Sequence, residues 1–176
     1  PICGYSFILP RQAAARRRNL APGPFAVRGA GFREVLNMLS DLQPSVQSYA
    51  DVISRVTGID VEIVDSNMVR VAGTGIYADS VGQNLARAGE VYKEVMRSRK
   101  TIQVDTPRHH AICGRCPDRE KCREHFSLST PIADEDRLFG VIGLVCFNDE
   151  DRMRMLSSLE SYSAFISFLA DGLALK

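Results

Sequence analysis

A chain of 176 residues with 45% apolar side chains is long enough for one domain with a buried core, and 22 basic against 21 acidic residues leave no global charge that would draw it to nucleic acid or an anionic membrane. No run approaches the roughly 18 uninterrupted apolar residues of a membrane span. Of five cysteines, three crowd between positions 113 and 122, which does not resemble a secreted disulfide framework, so the expectation is a soluble protein of a reducing cytoplasm.

Residues 1–31 read as a flexible basic leader. Positions 11–18 are rich in Arg and Ala and free of acids, and Pro22, Gly23, Pro24, Gly29 and Gly31 break any regular pattern. Cys3, within it, is a poor candidate ligand. Residues 32–176 read as one domain. Val35, Leu39, Leu42, Val46, Tyr49, Ile53 and Val56 carry heptad spacing and predict a helix, with Pro44 kinking it or starting its second half. That seam serves either the domain's own sheet or a second subunit. After Gly58, residues 59–64 alternate apolar with acidic as a half-buried strand does, and 68–72 return from a turn at 65–67 to close a hairpin. Gly73 and Gly75 precede a helical pattern through Val91, Val95 and Met96. A short strand at 101–104 leads into a cysteine loop at 109–125, and strands at 126–132 and 138–147 follow, the last apolar on both faces and therefore covered. Leu156, Leu159, Ser163, Ile166, Ala170 and Leu173 predict a second heptad-like helix, whose acidic start at 149–151 suits the positive end of its dipole. The expected architecture is α/β: one antiparallel sheet flanked by N- and C-terminal helices, with Ile63, Val71, Ile142 and Leu144 buried. A small ligand would lie between the sheet and the segment from Gly73 to Val95, where glycines permit close approach.

Cys113-Gly-Arg-Cys116-Pro-Asp-Arg-Glu-Lys-Cys122 is the most informative stretch. Thiolates spaced two and five residues apart on a loop rich in Gly, Pro and charge can converge on one metal or cluster without disturbing a core. Exposed thiols, or a redox disulfide between Cys113 and Cys116, are the alternatives. A 4Fe–4S cluster wants a fourth thiolate, and Cys146 is the remaining cysteine of the ordered body; as a lone Cys in an apolar strand it equally reads as a small buried hydrophobe. His109 or His110 would instead complete a Cys3His set suited to zinc, with His125 a weaker candidate. Arg115, Arg119, Lys121 and Arg123 interleave with the thiols and are expected to lower their pKa values.

Gly75-Ile-Tyr77 with Val81-Gly82, Val91-Tyr92-Lys-Glu-Val95, the cysteine run, Thr130-Pro-Ile132 and Gly140-Val-Ile-Gly-Leu-Val-Cys146-Phe together resemble the N-terminal sensory domain of bacterial sigma-54-dependent transcriptional regulators, which are GAF-like. The resemblance runs from about Val52 to Leu173. It implies a GAF/PAS-like fold, a regulatory rather than enzymatic role, a ligand site around Gly75, Tyr77 and Tyr92, and ATPase and DNA-binding output domains absent from this chain; separately, the narrow seams on both terminal helices suit a homodimer. No P-loop pattern occurs, and Gly73-Thr-Gly75 lacks the remaining glycine of a dinucleotide fingerprint. Three functions of different classes follow: a sensor whose cysteine-ligated iron–sulfur or metal site, or adjacent small-molecule pocket, controls an output domain; a structural zinc-stapled interaction domain; or a thiol-dependent GAF-type methionine sulfoxide reductase.

Overall fold

The computed structural model describes residues 39–174; the leader at 1–31, Cys3 and Val35 lie outside them. Five strands, β1 (Asp60–Asp65), β2 (Arg70–Gly73), β3 (Ile102–Asp105), β4 (Phe126–Ala133) and β5 (Leu138–Cys146), form one sheet in the order β2-β1-β5-β4-β3. Every pairing is antiparallel. The strands fall within a residue or two of their expected places, and Ile63, Val71, Ile142 and Leu144 are all buried.

One face of the sheet is covered by helices. Helix α1 (Gln43–Thr57) brings Val46, Ala50 and Ile53 onto it, and α4 (Leu159–Ala174) brings Ile166, Leu169, Ala170 and Leu173. Pro44 stands in the first turn of α1, where its missing N–H costs nothing. These residues merge with Val61, Ile63, Leu128, Ile142 and Leu144 into a single core. Most of both heptad seams therefore packs on the domain's own sheet, while Val56, the last residue of the first seam, stays exposed. Only the margins of the helices remain apolar and open: Val52 and Val56 on α1, Phe168 on α4.

The C-terminal helix expected as one is two. Helix α3 (Asp149–Ser157) starts on Asn148, whose side chain accepts the Asp151 N–H, and the chain breaks at Ser158 before α4. Serine hydroxyls compete for helix carbonyls, and Ser157 Oγ donates to Arg154 O at 2.7 Å just where the helix ends.

The other face is shaped by connections. Helix α2 (Glu90–Ser98) packs Tyr92 and Val95 against Val64 and Val141, and a 3₁₀ turn at Gly75–Ser80 and the cysteine loop cover the rest. Because β1 runs between β2 and β5, with both faces covered, Glu62 is 1% exposed rather than facing water as its alternating pattern implied. Among the described residues no helix is long and apolar enough to cross a membrane.

Ile166→Ala should destabilise the domain by about 2–5 kcal/mol through lost burial and a residual cavity, whereas Phe168→Ala, at a residue 74% exposed, should change stability by less than about 0.5 kcal/mol. Urea unfolding of the two variants distinguishes this inward seam from an outward one, for which the ranking would reverse.

Candidate ligand and metal site

The cysteine loop is a series of short turns rather than a helix or a strand. Turns at Pro107–His109, Ala111–Arg115 and Arg119–Lys121 succeed one another between β3 and β4. Each cysteine sits at a turn: Cys116 N–H donates to Cys113 O, and Cys122 N–H to Arg119 O. Two arginines brace the loop from inside, Arg108 Nε donating to Cys122 O and Arg119 Nε to Arg108 O, both at 2.7 Å.

Cys113, Cys116 and Cys122 line one cavity of about 80 Å³, shared with Tyr92, Glu124 and Ser127. Cys116 Sγ donates to Ala88 O at 3.4 Å. Burial first, then Glu124 and the neighbouring thiols, pushes Cys113 up to about 11, against the opposing pull of Arg119. Burial and Glu124 likewise raise Cys122, against Arg108. The expected lowering of thiol pKa values by interleaved cations is thus corrected for these two: shielding from water outweighs the charge, so both are thiols at neutral pH. Among the described residues no three His, Cys, Asp or Glu side chains are close enough to hold one metal ion.

Cys146 is not part of this cluster. It pairs across the sheet with Phe126, shares that residue's helix-covered face and lies 3.4 Å from Met155 Sδ, while the adjacent Ser127 turns to the cavity on the opposite face. Burial pushes its thiol up to about 12. Strand alternation supplies the reason: consecutive residues point to opposite faces. His110 caps the second turn by accepting Ile112 N–H on Nδ1, and His109 lines a separate groove with His125, whose Nδ1 lies 2.8 Å from Asp149 Oδ1.

Beside the thiols lies a second cavity of about 290 Å³, walled by Cys116, Cys122 and Glu124 on the loop side and floored by Glu62, Arg70 and Tyr92. Arg70 Nε donates to Glu62 Oε1 at 2.6 Å, and Tyr92 O–H donates to Glu62 Oε2. Arg70 Nη1 reaches Ser80 Oγ at 2.6 Å and Gln83 Oε1 at 2.9 Å, and the guanidinium lies 4.7 Å from the centre of the Tyr77 ring. Tyr77 O–H in turn donates to Glu124 Oε1 at 2.8 Å, fastening the cysteine loop to the turn at Gly75–Ser80. Burial raises both Glu62 and Glu124, the latter to about 7. Of the residues expected at a ligand site, Tyr77 and Tyr92 line this cavity. Gly75 does not: at φ +53°, a Cβ there would stand 2.1 Å from the Asp60 carboxylate, so its glycine serves a tight turn. Glu62, Arg70, Glu124 and Ser127 were missed. An acid and an arginine facing each other across a predicted hairpin were the available signal for the first two.

This architecture, an antiparallel sheet with helices on one face and a loop-walled cavity on the other, is that of a GAF domain. The GAF domain of A. aeolicus nlh2 in an inactive state superposes with a TM-score of 0.54 at 15% identity, covering 76% of this chain and 82% of that one. A type II free methionine-R-sulfoxide reductase from Thermoplasma acidophilum gives 0.50 at 15% identity, covering 77% and 92%. No protein-family model matches the chain. In sequence the chain is 31% identical over 134 residues to UacR of Escherichia coli (strain K12), a sigma-54-dependent transcriptional regulator whose name refers to uric acid. It belongs with the GAF-like sensory domains of sigma-54-dependent transcriptional regulators. The match takes in 76% of this chain but 23% of UacR, so most of that regulator lies outside it.

Arg70→Met should cost about 3–5 kcal/mol, because it strands a buried carboxylate. Adding Glu62→Met should recover most of that loss, since the uncompensated charge is then gone. Urea denaturation of the single and double variants measures the coupling; a double variant as weak as Arg70→Met would assign the loss to packing instead.

Proposed function

We propose that the domain receives the signal of a sigma-54-dependent regulator, and that the signal enters at the cysteine loop, where Cys113, Cys116 and Cys122 bind one iron–sulfur or zinc centre. The observation that carries this reading is that three thiols, on two short turns, open into the same sheltered cavity. Loading it requires the turns to draw together. Few bonds oppose that, and binding would itself remove the thiol protons that burial retains.

Cys146 does not suit the fourth position, since it faces the helix layer. Three thiolates and one non-cysteine group remain compatible with a 4Fe–4S cluster or with zinc. The adjoining cavity would take a small molecule, so that redox state and ligand act on one loop. ATPase and DNA-binding domains outside this chain would deliver the output, in a cytoplasmic homodimer whose sensory part touches neither nucleic acid nor membrane. The exposed Val52, Val56 and Phe168 on the helix layer favour such self-association. A structural zinc site would use the same three thiols without sensing. The reductase reading has a fold neighbour behind it, but a nucleophilic cysteine needs a lowered pKa, and Cys113 and Cys122 are raised.

Purified without oxygen and assayed for iron, sulfide and zinc, the protein should carry one centre. Cys113→Ser, Cys116→Ser and Cys122→Ser should each lose most of it, and Cys146→Ser should keep it. Full metal content in all three loop variants would end the proposal, and iron with sulfide rather than zinc would choose the cluster.

A further inference from the structure

The cavity onto which Cys113, Cys116 and Cys122 open holds other donors. Among the described residues its lining includes two carboxylates, Glu90 and Glu124, and the hydroxyls of Tyr92 and Ser127, but no histidine. His109 opens onto a different groove. A centre held by three thiolates needs a fourth donor, and zinc takes its ligands from Cys, His, Asp and Glu, so the choice falls on the two carboxylates. Glu90 is committed elsewhere: Lys93, one turn on in the same helix, is ion-paired with its Oε1. Tyr92 is spent likewise, its O–H donating to Glu62. A neutral serine hydroxyl is not among the usual donors.

Glu124 meets the requirement. It stands two residues beyond Cys122, and its backbone N–H faces the Cys122 sulfur. Its charge bears on both Cys113 and Cys122. Tyr77 O–H fixes Oε1 at 2.8 Å, and among the described residues Oε2 has no hydrogen-bond partner. Ligating carboxylates are held in this way, an outer hydrogen bond orienting the group that binds the metal. The neighbouring cations match the charge. Three thiolates and a carboxylate round a divalent ion leave two negative charges, and Arg108 and Arg119 line the same cavity. Their Nε atoms donate to Cys122 O and Arg108 O, which keeps both guanidinium groups on the loop that carries the thiols.

We propose that Glu124 Oε2 is the fourth ligand of the centre formed by Cys113, Cys116 and Cys122. The assignment rests on that three-thiol centre and adds to it a residue already bonded to Tyr77, so that one carboxylate joins the centre to the turn at Gly75–Ser80.

The test is the zinc affinity of the intact chain, stripped of metal under reducing conditions and measured by competition with a chromophoric chelator. Glu124→Gln keeps the shape and an acceptor for Tyr77 but offers no anionic oxygen, and should bind zinc roughly 10- to 100-fold more weakly. Glu124→His puts a nitrogen donor of similar reach at the same point, making a Cys3His set, and should recover most of that loss. A residue that merely supported the loop would not be rescued by histidine. Glu90→Gln should bind as the parent does. Parent-like affinity in Glu124→Gln beside weak binding in Cys113→Ser would overturn Glu124 as a ligand and leave the three-thiol centre standing, and so would a weakened Glu124→Gln that Glu124→His fails to restore. A parent that binds zinc no more tightly than Cys113→Ser would overturn the centre together with its fourth ligand.

Discussion

The Glu62 carboxylate, 1% exposed in the middle of the sheet, is the constraint around which one face of the domain is organised. An unpaired charge there would cost several kcal/mol, so every element near it supplies a partner. Strand β2 brings Arg70 and helix α2 brings Tyr92. The turn at Gly75–Ser80 then holds Arg70 through Ser80 and stacks Tyr77 against it. Gly143, opposite Glu62 on β5, keeps this floor close-packed: a Cβ there would stand 3.3 Å from the Ser129 hydroxyl and in ordinary contact with Tyr92. A polar group that the core could have excluded thus determines where three connections run.

The two faces were unequally legible in the sequence. Strands and helices of the helix-covered face came through, because residues such as Ile63, Ile142 and Ile166 are apolar at the period of their element and need only burial. The heptad spacing was real, but spacing says which residues share a stripe and not what the stripe meets. On the loop-covered face, period misled. Glu62 alternates like a solvent-facing residue, and its burial follows only from strand order, which is a property of pairing across distant parts of the chain. The close spacing of Cys113, Cys116 and Cys122 put all three on one loop, and the structure has them line one cavity. The place of Cys146 was not legible, because its face depends on the register that sets it opposite Phe126.

The same partition bears on how a loop event would travel. The thiol cavity and the helix layer lie on opposite sides of the sheet. What joins them is the rim. Asp105, at the end of β3, is bound by Arg152 of α3 at 2.7 Å, and that bond holds the Asp105 carboxyl below its usual range. His125, where the loop enters β4, lies against Asp149 in the first turn of α3 and donates its backbone N–H to Cys146 O. Both ends of the cysteine loop are thereby tied to one short helix.

Helix α3 is the element suited to pass such a displacement on. It is separated from α4 by the break at Ser158 and anchored in the core chiefly by Met155, against Cys146. Its ion pairs are mostly at the surface and therefore weakly stabilising. Helix α4, by contrast, buries four residues along its length. Cys146, first a candidate ligand, is a packing residue here, 3.4 Å from Met155 Sδ of α3.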